Sequence, residues 1–516
     1  MKPKRWVIIP ILCIFLAGCT TAAPVSKPAR LTLPPPQPET APAGDALQEF
    51  AETVQLHVPD SLGSQLTVIS EKILMPQNRH PADETVRKLL SFTGNDAAQP
   101  LSQETPLQLA TGTMVEISGD VATVDLAATA LMLDARKLYF VSRAIANTLT
   151  QWGDIRYVNI LVLGRQHGID TASAFPGGCF QQTRNDDVTA LWENAVAQAA
   201  SAAESAQDKR FSSVAALYFP AAAGRGILAE ARSLSFQGQT PVQMASALIG
   251  ALSLGAQTLP GVPAVPDLTR LLAEAPALHT LPGSDQRVIT LRFLDDTNEA
   301  LISAGIPRSV MMAALTCTLT TFIPGIAGIR VHIGSEAIQA VVPAGIYAGA
   351  GDTILFEDGV MRRSDFAAFI LTYSALYLAN SAGGLTKTLR PIPYQQVYNA
   401  RYLLNQLMEG PQVCDSVHAL SAALPDGLKD ADILGIARDK DRLLVNLSGA
   451  LLEKSKGMNA LQERLMVYSI VNTLTAMRGV RRVSFFINGE QPDTFAGSLY
   501  LPGEFLYNPE IVHAPQ

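Results

Sequence analysis

The chain has 516 residues, 48% of them apolar and 16% charged, with a formal net charge of −7. That length exceeds one ordinary core and suits about three modules, and the composition is globular, not disordered. With a pI near 5.6, the acidic balance argues against a nucleic-acid partner gripped through its phosphates.

The first residues read in three parts. Lys2, Lys4 and Arg5 form a basic start, Trp6 to Leu16 an apolar run, and Leu16-Ala17-Gly18-Cys19 resembles the lipobox of bacterial lipoproteins. Small residues let the scissile bond enter a peptidase, and the Cys19 thiol is the only side chain there able to take a thioether lipid. The run is shorter than the roughly 20 residues a spanning helix needs. Residues 1–18 are thus expected to be a signal peptide, and Cys19 to hold the protein by a lipid to the extracytoplasmic face of the cell membrane. Cleavage would leave 36 basic against 46 acidic residues, or −10. Of the five cysteines, Cys179, Cys317 and Cys414 would remain; three cannot form a disulfide framework, and buried or idle thiols are favoured.

Residues 19–46 form a proline-rich tether, with seven prolines between Thr20 and Asp45, including Pro34-Pro35-Pro36. Such a stretch stays extended and acts as a semi-rigid spacer.

Beyond it the chain repeats itself. The segments are NTLTQWGDIRYVNILVLG from Asn147, CTLTTFIPGIAGIRVHIG from Cys317 and NTLTAMRGVRRVSFFING from Asn472. Each holds Thr-Leu-Thr (Thr148, Leu149, Thr150; Thr318, Leu319, Thr320; Thr473, Leu474, Thr475) and a glycine 16 residues after its first threonine: Gly164, Gly334 and Gly489. Upstream runs an i, i+4, i+8 apolar stripe, Val141/Ile145/Leu149, Met311/Leu315/Leu319 and Met466/Ile470/Leu474, which is one buried face of a helix. A glycine turn follows at Gly153, Gly325 or Gly479, then an apolar strand: Val158–Leu163, Ile329–Ile333, Val483–Ile487. Further upstream, Ala216-Leu217-Tyr218-Phe219 matches Ala375-Leu376-Tyr377-Leu378, and both lead through Arg232 or Arg390 to a short helix ending at Gly255 or Gly410. From each of these glycines to the motif threonine is 63 residues; from Gly94 in the first copy it is 54.

Each copy therefore reads as a strand or hairpin, a helix, a hairpin, a longer helix and a final strand. That is an α+β fold: tandem repeats of a small two-layer α/β sandwich, after a lipoprotein signal peptide and a Pro-rich linker. The expected modules are 47–181, 212–358 and 373–507, joined by an alanine-rich helix at 182–211 and a connecting helix at 359–372, and arranged in series.

These residues resemble the GerMN domain of GerM-type lipoproteins of sporulation and spore germination. The match is best from Ala375 to Gly489, clear from Val121 to Gly164, and weaker from Val214 to Gly334. The resemblance implies a fold like the ring-building modules of envelope machines, and a role in assembly or scaffolding rather than catalysis. A third copy departs from a two-domain GerM arrangement.

The chain carries no Gly-Lys-Ser/Thr phosphate loop, no His-Glu-x-x-His or paired Cys-x-x-Cys, and no Gly-x-Ser-x-Gly elbow. No catalytic residue, metal or cofactor is expected. His167 and His332 read as solvent-facing, because the third copy has Ile487 where His332 lies. Asp295-Asp296 and Glu357-Asp358 read as solvated turns. The motif threonines read as structural, their hydroxyls bonding back to a carbonyl one turn earlier. The expected partners are the membrane, envelope or sporulation proteins and a possible second copy. A cell-wall or small-ligand binding lipoprotein is the alternative.

Overall fold

The computed structural model describes residues 40–45, 49–76, 79–168, 177–203, 210–343 and 352–514. Cys19, the signal peptide and most of the tether lie outside them.

All three modules follow one element order. A hairpin comes first: Glu49–Pro59 with Leu66–Pro76, Phe211–Pro220 with Ile227–Phe236, and Leu371–Ala379 with Leu385–Pro393. A short helix follows: Pro81–Leu90, Pro241–Ser253, Ala400–Met408. Next is an antiparallel pair: Glu116–Ser118 with Val121–Leu126, Ala277–Thr280 with Arg287–Phe293, Ile433–Asp439 with Arg442–Leu447. The motif helix is Ala135–Leu149, Arg308–Phe322 or Ala460–Thr475. A last strand, Tyr157–Val162, Ile326–Ile333 or Arg482–Ile487, then runs parallel to the strand before the motif helix. A parallel return needs a long crossover, and the motif helix supplies it.

The helices begin where side chains can take their free N–H groups. Thr240 and Asn459 form capping boxes with Gln243 and Gln462, and Asp134 accepts from Lys137 N–H. The motif stripes are buried: Val141, Ile145 and Leu149 are 1%, 0% and 0% exposed, and the other two stripes match them. The main β-structure of each module is in two pieces, and module 2 adds a short pair, Ala340–Val341 with Ile354–Leu355. The hairpin pairs with itself, and the other strands form a separate sheet of three strands in module 1 and four in modules 2 and 3. The motif helix packs on both pieces, so one amphipathic helix holds the two together.

The modules are not strung out in series; each touches the other two. The Ser118 hydroxyl of module 1 accepts the Ala229 N–H of module 2 at 2.8 Å and donates to the Leu371 carbonyl of module 3 at 2.6 Å. Arg478 of module 3 lies 3.9 Å over the Trp152 ring of module 1 and pairs with Glu52. Tyr373 of module 3 donates to the Pro260 carbonyl of module 2 at 2.6 Å, and Arg225 reaches the Cys414 sulfur at 2.8 Å. One source of this closure is the edge strand Glu116–Ser118: it is paired on one side only, and its Ser118 hydroxyl and Glu116 carboxylate find partners beyond module 1.

The segment 359–372, expected as a connecting helix, is a seven-residue 3₁₀ stretch, Arg363–Phe369, whose Phe366 and Phe369 join the apolar core of module 2. The alanine-rich helix between modules 1 and 2 is Val188–Ala203.

Candidate functional site

The motif threonines divide their labour. The Oγ1 of Thr148 accepts the backbone N–H of His57 at 2.9 Å, Thr318 that of Tyr218 at 2.9 Å, and Thr473 that of Tyr377 at 3.1 Å. Tyr218 stands opposite Ala229 in its hairpin, and both N–H groups point out of the ladder: one to Thr318, the other to Ser118. A buried strand N–H needs an acceptor, and the helix threonine provides it. Only the second threonine of each motif bonds back along its helix: Thr150 to Ala146 O at 2.9 Å, Thr320 to Thr316 O and Thr475 to Val471 O at 2.7 Å. The first threonine thus clamps helix to hairpin, a role that helix-local reasoning did not foresee. It also locates the block missing from the first copy, since His57 stands where Tyr218 and Tyr377 stand. The leucines between, Leu149, Leu319 and Leu474, are fully buried.

The residue before each motif matters too. Asn147 pairs its side-chain amide with the Thr183 backbone, donating to the carbonyl at 3.0 Å and accepting the N–H at 2.9 Å. Asn472 repeats this with Asn508, at 3.0 and 2.9 Å. These bonds fasten the closing segments of modules 1 and 3. Module 2 has Cys317 in that place and cannot make them. The repeated Asn was the available sequence signal.

The equal glycine spacing hides a one-residue offset. The parallel strands end in register at Leu126↔Val162, Phe293↔Ile333 and Leu447↔Ile487. Leu163-Gly164 and Asn488-Gly489 follow as two-residue turns with both residues at positive φ, the geometry that suits a tight hairpin. Gly334 occupies the first of these turn positions, not the second. A register shift between Ile326 and Gly328 takes up the additional residue. The correction carries over to His332, which aligns with Phe486 and not Ile487.

Two arginines are internal struts. Arg390 is fully buried, with bidentate bonds to Asp415 at 2.6 and 2.7 Å and a bond to the Gly410 carbonyl at 2.7 Å. Arg232 takes the same place with a different fork: its Nε and Nη2 both donate to Glu230 Oε1, and Nη2 also donates to the Gly255 carbonyl. Each closes the C-terminal end of the short helix, where carbonyls lack intrahelical partners. A third arginine, Arg363, sits at the junction. It bonds Glu116 of module 1, and Thr321 and Tyr218 of module 2 at 2.5 and 2.8 Å. Burial lifts the Glu116 carboxyl above its ordinary range, and the adjacent guanidinium opposes this.

A cleft of about 300 Å³ opens in module 1, lined by Gln99, Gln103, Thr105, Arg136, Lys137 and Phe140 among others. It lies where this copy is shorter than the others. Modules 2 and 3 carry a short helix before the motif helix, Thr297–Ser303 and Ala450–Ser455, where module 1 has a 3₁₀ turn, Ala128–Met132.

The described cysteines stand apart from one another. Cys179, Cys317 and Cys414 are unpaired and buried, and burial pushes the Cys317 thiol up to about 12. Among the described residues, no group of three or more His, Cys, Asp or Glu is placed to hold a metal. Asp296 stands at the N-cap position of the helix Thr297–Ser303 without a side-chain capping bond, and Asp358 has φ +55° within a 3₁₀ turn.

The fold is thus a tandem array of small α+β modules, each built on a threonine-clamped crossover helix. Residues 375–493 match the family model "Germane: Sporulation and spore germination". Module 3 is thus similar to the domain of that family, and two modules of the same element order precede it. Similar solved structures include the following three. The tandem GerMN domains of the sporulation protein GerM from Bacillus subtilis share 15% identity, covering 59% of this chain and all of that one, at a TM-score of 0.21. A putative lipoprotein from Clostridium perfringens shares 18%, covering 27% and 91%, at 0.17. The first GerMN domain of B. subtilis GerM shares 14%, covering 26% and 96%, at 0.18. No curated protein matches.

Proposed function

We propose that the chain is a lipid-anchored extracytoplasmic lipoprotein that acts as a non-catalytic scaffold or assembly factor in sporulation or spore germination. The observation that carries this reading is the use of the motif side chains. The hydroxyls of Thr148, Thr318 and Thr473 are spent on joining helix to hairpin, and the modules are spent partly on joining one another. What such a body offers to others is rigid surface and sheet edges, the means by which scaffolds hold partners. In-cell cross-linking of the lipidated protein, with identification of the attached proteins, tests it. Specific envelope proteins are the expected catch, and a protein that stays monomeric and captures none refutes the scaffold role. Replacing Cys19 by Ala tests the anchor: the variant should be released, folded and without function, and retained function would make the anchor incidental.

A second reading, binding of cell wall or a small ligand, is favoured by the module 1 cleft. Its amides, its hydroxyls and the cations Arg136 and Lys137, which outnumber the single carboxylate Glu104, suit a polar molecule bearing negative charge. Pull-down on purified cell wall distinguishes the two: retention that is lost in Arg136→Ala/Lys137→Ala supports this reading, and no retention removes it.

A further inference from the structure

Residues 42–45, at the end of the expected tether, lie along the outer strand of the module 3 sheet, Ile433–Asp439. The Gly44 N–H donates to the Leu434 carbonyl at 2.9 Å, and Asn446 Nδ2 donates to the Pro42 carbonyl at 2.9 Å. The Asp45 carboxylate accepts Arg401 Nε and Nη2 at 2.6 and 2.9 Å, and the Ile436 N–H at 3.1 Å. The contact therefore combines main-chain bonds to an edge strand with a planar guanidinium–carboxylate fork.

The receiving surface is shaped for this. Gly435 faces the segment, and a Cβ there would stand 2.5 Å from Gly44 N and 2.6 Å from the Pro42 carbonyl oxygen. The strand shifts register between Ile433 and Gly435, which turns main-chain groups outward at this spot. Arg401 is also held independently of the segment, by the Asp430 carbonyl at 3.1 Å and carboxylate at 3.3 Å. A held guanidinium loses little freedom when a carboxylate arrives.

The other two modules show that the feature belongs to module 3. Ser246 stands nine residues before Gly255, as Arg401 stands nine before Gly410, so module 2 has a hydroxyl where module 3 has the guanidinium. In module 1 the outer strand is taken up by the other modules through Ser118.

We propose that the Ile433–Asp439 edge with Arg401 is a receptor for an extended peptide bearing a carboxylate, that residues 42–45 are its built-in occupant, and that an acidic extended segment of a partner protein competes for it. The proposal names a contact for the scaffold reading but can fail separately from it, because binding is read on the purified chain.

The test uses the full chain in detergent and a fluorescent peptide with the sequence of residues 41–46, read by anisotropy. The resident segment has a local concentration on the order of millimolar, so the wild-type chain should bind the free peptide poorly. Asp45→Ala should bind it at least about tenfold more tightly than wild type. A peptide with Asn in place of the aspartate should bind that variant at least about tenfold more weakly, and Asp45→Ala/Arg401→Met should not bind the parent peptide. A folded Asp45→Ala chain that binds no better than wild type, or binds both peptides equally, overturns the proposal. If Asp45→Ala lowers the melting temperature, hydrogen exchange on the wild type decides. Excess parent peptide should speed exchange at Gly44 and the Asn peptide should not; equal exchange in both overturns it.

Discussion

Replacing Thr473 by Val separates the two threonines of the motif. Valine keeps the shape and the β-branch but removes the acceptor of the Tyr377 N–H, which lies 3.1 Å from Oγ1. Thr473 is 0% exposed and Tyr377 5%, so water cannot take over that bond. An unsatisfied buried donor costs about 1–3 kcal/mol, and the added methyl returns up to about 0.8 kcal/mol. A net loss of about 1–2 kcal/mol is expected. Thr475→Val is the control. Its hydroxyl only adds a second bond to a helix carbonyl, and the residue is half-buried, so its loss should stay near or below about 0.5 kcal/mol. Urea unfolding of the full chain measures both, and amide exchange at Tyr377 reports the broken clamp directly. A Thr473→Val chain as stable as Thr475→Val, with unchanged exchange at Tyr377, would refute the clamp.

The buried strut predicts a larger effect. Arg390→Met strands the Asp415 carboxylate, itself 1% exposed, and should cost about 3–5 kcal/mol in urea unfolding, with Asp415→Asn recovering part of it. Leu163 holds φ +53° and is 53% exposed, so Leu163→Asn, copying Asn488, should raise stability by about 0.5–1 kcal/mol; a lower melting temperature would contradict the turn assignment. Burial holds the His57 imidazole below its ordinary value of 6.5, against the bond to Asn185. The unfolded chain then takes up the proton first, so this group destabilises the fold as pH falls below 6.5. Melting between about pH 7.5 and 5.5 should fall less steeply in His57→Gln, and an identical slope would remove His57 as a cause.

The element order was legible from the sequence because each element depends on local rules. The i, i+4, i+8 stripe from Met466 to Leu474 can bury only one helix face, and Asn488-Gly489 can make only a few kinds of turn. Three copies in one chain reinforced these signals, and the third of them, residues 375–493, matches a family model. Spacing alone misled at Gly334, because a register shift in a strand changes which residue reaches the turn without changing the count.

What the sequence by itself determined is the module: its helices, strands, buried stripes and order, all set by periodicity and capping within about a hundred residues. Only the tertiary structure decided what those parts hold. The partner of Thr473 is 96 residues away and that of Ser118 is 253 away, and no local pattern encodes which unpaired N–H or carbonyl a hydroxyl will find. The closed arrangement of the three modules, and the seat of residues 42–45 on module 3, follow from such distant pairings of buried polar groups.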